Sequence, residues 1–89
     1  MMYGKQLMDA FDAERRDFLR RDEFAAAEVM SNMESAVNNV MHGRPAQEIH
    51  DYAVDHIGRV LGDGRIALYR AERDAYKYAL DVIDSVPVP

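Results

Sequence analysis

Between Lys5 and His42 the chain contains neither glycine nor proline, and over that whole stretch its apolar positions keep one helical phase. At 100° per residue, Leu7, Phe11, Phe18, Ala25, Val29, Met33, Ala36 and Val40 all fall on one side of the wheel. The simplest reading is one continuous helix over residues 5–41, which at 1.5 Å per residue would be about 55 Å long.

The next glycine and proline mark the end of that helix and the start of another. Gly43 suits the left-handed residue that closes a helix, and Pro45 suits the first turn of the one that follows. A second helix is predicted over 45–61, where Ile49, Tyr52, Ala53, His56, Ile57, Val60 and Leu61 form the i, i+3, i+4, i+7, i+8 stripe of an amphipathic helix. Gly62 can end it, and Asp63 is a suitable N-cap for a third helix over 64–85. There Ile66, Tyr69, Arg73, Tyr76, Leu80 and Ile83 repeat the pattern, widened by Ala75, Ala79 and Val82. Loops are expected at 42–45 and 62–64. Two prolines keep the tail at 86–89 out of any helix and favour an extended form.

The predicted lengths do not match, because helices of about 25 and 33 Å cover only part of a 55 Å one. Either the first helix bends back near Arg20-Arg21-Asp22, giving four similar helices, or its overhang packs on a second copy of the chain. Nothing near Asp22 has the glycine or proline of ordinary turn chemistry, so the dimer is the expectation. Phe11, Arg15, Phe18 and Asp22 are its candidate interface, with Arg15 and Asp22 as an intermolecular ion pair fixing register. The expected fold is all-α: an antiparallel bundle of three helices in a single domain over 1–89, its first helix long and either straight or kinked, completed by dimerisation.

Size supports association. A chain of 89 residues has room for one core and buries only about 60 to 65% of its unfolded surface. It has no cysteine, which removes disulfides and Cys-based zinc sites as reinforcements. Hydrophobic residues make up 48% and charged ones 30%, the balance of a folding chain. No apolar run approaches a membrane span, and Met1-Met2-Tyr3-Gly4-Lys5 lacks the apolar stretch of a leader, so a cytoplasmic protein is expected.

The net charge is −5, and residues 25–64 carry six acidic groups against two basic ones. That distribution disfavours nucleic acid as a partner, since phosphate binding draws on clustered Lys and Arg. Metal chemistry has little support. His42, His50 and His56 with Asp51 and Asp55 are the candidate donors, but His50 and His56 point to different sides of a helix and the i, i+4 ligand spacing is missing. His56, inside the apolar stripe, reads as a structural core histidine. The His50-Asp51 pair resembles the one that names a class of metal-dependent phosphohydrolases, whose further ligands this chain lacks. Acidic pairs three apart, Glu14/Asp17, Glu48/Asp51 and Asp81/Asp84, have the spacing with which small helical nucleotide pyrophosphatases hold magnesium. Among 16 acids such pairs arise by chance, so a magnesium-dependent hydrolase is the weakest reading. No cofactor, metal or catalytic residue is expected.

Binding is the better-supported class. Arg65, Tyr69, Arg70, Arg73, Tyr76 and Lys77, with Tyr78 beside them, give the third helix the arginine and tyrosine content of contact surfaces. The chain is expected to be an acidic protein-binding module: an adaptor, regulator or inhibitor whose carboxylate face could occupy a basic cleft. By analogy, small acidic cysteine-free proteins are common among inhibitors of nucleic-acid enzymes, such as those phages carry against host defence. The alternative is a small-ligand or nucleotide-binding module that uses the same Arg/Tyr surface.

Overall fold

The chain reverses direction at Asp22, whose φ of 57° lies in the left-handed region. Two hydrogen bonds fix the corner: the Glu23 amide donates to the Phe18 carbonyl at 2.9 Å and the Asp22 amide to the Leu19 carbonyl at 3.1 Å. This is the Schellman ending of a helix, with aspartate where glycine is usual. A short Asx side chain tolerates that conformation better than most. The expected helix over 5–41 is therefore two helices, α1 (Tyr3–Arg20) and α2 (Phe24–Val40).

The computed structural model describes residues 2–89, and Met1 lies outside them. Among the described residues the architecture is all-helical, with four helices and no strand, in place of the three-helix arrangement. The longest dimension of the molecule is 34 Å, too short for a 55 Å rod. With α2 folded back along α1, the overhang that called for a second chain is gone. Phe11 is 0% exposed within its own chain, so it has no surface to offer a partner.

Gly43, at φ 72°, makes the second reversal, and Pro45 stands at the N-cap of α3 (Ala46–Gly62), close to the predicted bounds. The last helix departs from expectation: α4 runs Arg70–Asp84 and starts well after residue 64. Asp63 does not cap it. One of its carboxylate oxygens accepts the Arg65 amide at 2.9 Å, and the Arg65 guanidinium closes on both oxygens. That local turn holds the chain out of helix until Tyr69, whose amide donates to the Glu72 carboxylate at 3.1 Å and so starts α4. Ile66 and Tyr69 consequently lie outside the stripe they were assigned to, 41% and 81% exposed.

One cluster of buried side chains draws on all four helices: Leu7 and Phe11 from α1, Val29, Met30, Met33 and Val37 from α2, Ile49, Ala53 and Ile57 from α3, Tyr76, Val82 and Ile83 from α4. Each such large side chain contributes about 1.5–3 kcal/mol on burial. α1 packs chiefly on α2, while α4 lies against both α2 and α3. Val86 and Val88 of the tail pack on the cluster's edge. Among the described residues no helix is long and apolar enough to cross a membrane.

Candidate functional site

The corner at Asp22 also shapes the surface. It brings the last turn of α1 and the first turn of α2 beside the first half of α4, and the three enclose an open groove of about 820 Å³. Ala25 and Ala26 of α2 and Ala71 and Ala75 of α4 line it, so each of the two helices contributes two side chains that are single methyl groups. Three rings stand around that floor: Phe18, Phe24 and Tyr78.

The rings are held differently. Phe18 is half-buried, meets Tyr78 edge to face with centroids 5.8 Å apart, and carries the Arg21 guanidinium 4.8 Å above its centroid. Phe24 leans on little and is 63% exposed. A second, shallower depression flanks it, lined by Arg15, Leu19, Ala27, Glu28 and Ser31, so Phe24 forms the ridge between two hollows. Leu19 is also exposed. A large apolar side chain left in water at the lip of a concave apolar surface is the kind of feature that marks binding sites.

The rim is acidic. Asp22, Glu23 and Asp74 face Arg21 alone. Arg21 is already shared between Asp17 and Glu23, each at 2.9 Å. Asp74 has only a loose contact with Arg70 at 3.9 Å, and Asp22 has no ion pair among the described residues. Partial burial pushes the Tyr78 phenol above its ordinary range, and the Glu14 carboxylate beside it adds to the shift. The Tyr78 proton is thus directed toward Glu14 on α1, a second tie between α1 and α4 beside the ring contact with Phe18.

The residues singled out in the sequence are scattered. Phe18 and Asp22 line the groove, whereas Phe11 is core. Arg15 bonds Asp12 within α1 and reaches Glu34 on α2 at 3.2 Å, a tie inside the chain. Burial pushes the Glu34 carboxyl up against the pull of Arg15. In the Arg/Tyr set, Arg65 is held by Asp63, Tyr76 is turned into the core with its hydroxyl accepting from Asn32 at 3.5 Å, and Arg70, Arg73 and Lys77 stay on the exposed face of α4. They do not converge with the two tyrosines on one site. His56 is half-buried at the margin of the α3 stripe, stacked on Tyr52 with centroids 6.3 Å apart. Among the described residues no three His, Asp or Glu side chains gather as a metal site.

Sequence reasoning missed Phe24, Ala71 and Asp74, and placed Tyr78 with the arginines of its helix instead of beside Phe18. One signal was present: on the wheel, Phe24 lies about 130° from the stripe that holds Phe11 and Phe18, an aromatic ring on the polar side of its helix. No family model matches the chain, and neither a curated protein nor a solved structure matches it.

Proposed function

We propose that this chain is a protein-binding module, of the adaptor, regulator or inhibitor kind, and that it docks its partner in the groove between the α1–α2 corner and α4. The observation that carries the reading is Phe24: a ring 63% exposed at the edge of an apolar groove of about 820 Å³. Covering such a ring contributes about 1.5–3 kcal/mol, and aromatic anchors of this kind dominate the energetics of interfaces. The acidic rim supplies orientation and encounter rate more than affinity. The small-ligand reading through the Arg/Tyr surface has less to draw on, because Tyr76 is buried and Arg65 is tied to Asp63.

The test is capture of a partner from lysate of the source cells, run in parallel with the unchanged chain, Phe24→Ser, Ala71→Glu and a distant control, Arg44→Ala. Ala71 is exposed in the first turn of α4, where a carboxylate suits the helix N-terminus, so the fold tolerates the charge. The expected result is a protein retained by the unchanged chain and by Arg44→Ala but lost with both groove variants. Capture that survives Phe24→Ser and Ala71→Glu alike would remove the groove from consideration.

A further inference from the structure

Resting on that reading, we infer that the occupant of the groove is an amphipathic helix of another protein, carrying an apolar anchor flanked by lysine or arginine. Two features select a helix. Among the described residues there is no strand and hence no sheet edge to which an extended segment could add. The groove runs between α2 and α4, and its alanines, Ala25 and Ala26 facing Ala71 and Ala75, leave room for a third helix to approach closely while its anchor side chains reach the rings of Phe18, Phe24 and Tyr78. This is the helix-in-groove mode, in which anchors at i, i+3 or i+4 supply the affinity.

Charge selects the flanks and weighs against a second copy. Three carboxylates, Asp22, Glu23 and Asp74, line the groove against one guanidinium; Glu23 is paired with Arg21, which leaves Asp22 without an ion pair and Asp74 with only the loose Arg70 contact as the acidic groups open to a partner. Two copies joined by twofold symmetry through this surface would set the same acidic rim against itself, on chains that each carry a net charge of −5. A basic-flanked helix meets that rim with opposite charge, and the overall field of the chain steers it inward.

The experiment uses the full chain, which contains no tryptophan, and two synthetic helical peptides of equal length with the same apolar anchors and one tryptophan each. One peptide has lysine and arginine flanks and the other glutamate flanks. Indole emission then reports the peptide alone. The expected result is a blue shift and saturable binding of the basic peptide, weakened at high salt, with the acidic peptide bound at least roughly tenfold less tightly. Combining Asp22→Asn with Asp74→Asn should weaken the basic peptide by roughly three- to tenfold, as expected for two partly exposed pairs. Asparagine keeps the left-handed corner, so that loss is not a loss of fold. Equal affinity for both peptides would overturn the basic flank and leave the groove reading intact, since that reading is judged by capture with Phe24→Ser. Failure of both peptides to bind would overturn the helical occupant. A doubled mass in light scattering that Phe24→Ser returns to one chain would overturn it in favour of a second copy.

Discussion

The rings of Phe18 and Tyr78 meet edge to face, with centroids 5.8 Å apart and planes at 81°, and so tie the last turn of α1 to α4. The contact forms one wall of the groove and holds that wall in place. Edge-to-face pairs contribute about 0.5–1.5 kcal/mol beyond the area they bury. A double-mutant cycle with Phe18→Leu and Tyr78→Leu, followed by urea denaturation, should give a coupling energy in that range. A coupling near zero would mean that the two rings are held independently.

Asp22 is the one residue other than glycine with a positive φ among the described residues, so Asp22→Gly removes a conformational cost. Left-handed geometry costs an L-residue roughly 1–2 kcal/mol, less for aspartate, and glycine offsets part of the gain by its freedom in the unfolded chain. The expected result is a stabilisation of up to about 1 kcal/mol in the denaturation midpoint. Asp22→Val should destabilise by more than that, because a β-branched side chain fits this conformation worst.

Gly4 predicts the opposite of the usual helix rule. Glycine to alanine inside a helix ordinarily stabilises by up to about 1 kcal/mol. Here a Cβ on Gly4 would stand 2.7 Å from the Cβ of Met41, and a backbone-anchored carbon cannot swing aside. Gly4→Ala should therefore destabilise by about 1–3 kcal/mol, the range of overpacked cores. Met41→Gly empties a buried position and costs stability by itself, so the clash is read as a coupling: the two changes together should cost less than the sum of the single ones, which a thermal double-mutant cycle would measure.

His56 makes stability depend on pH. Burial, aided by Arg59 and opposed by Asp55, lowers its affinity for a proton below the ordinary imidazole range. The unfolded chain therefore takes up that proton first as pH falls. The stability contributed by the neutral ring is complete above pH 6.5 and declines as pH drops from there toward the lowered folded value. Urea midpoints of the unchanged chain should fall between about pH 7 and pH 5.5, and those of His56→Gln should fall less. Equal slopes would show that the ring is no less basic folded than unfolded.

The buried faces were legible in the sequence, but the direction of the chain was not. Leu7, Phe11, Val29, Met33 and Ala36, read as one stripe, are all buried. A stripe records which side of a helix faces the core and not whether the helix continues. The corner escaped notice because its left-handed residue is aspartate, and because the phase of α2 happens to resume that of α1. The late start of α4 escaped for a related reason: Asp63 offers the same carboxylate to a helix cap or to its own loop, and Arg65 decides for the loop. Of the groove, Phe18 and Asp22 were singled out, though for an interface between copies. Ala25 and Ala75 read only as members of a stripe and Ala26 and Ala71 carried no signal, because concavity comes from the meeting of residues 18–26 with 71–78, which no local pattern encodes.

The resumed phase has a consequence for connectivity. If residues 21–23 became helical, α1 and α2 would join into one rod whose apolar side is still continuous, and α1 would leave its seat in its own chain. The vacant seat fits an identical α1 from another molecule, because every contact it made internally is available again in exchange. The corner is thus the one place where the two halves of the apolar stripe part, and it rests on the backbone of Arg21, Asp22 and Glu23 together. Replacements that forbid the left-handed angle would weigh against the closed corner, and glycine would weigh for it.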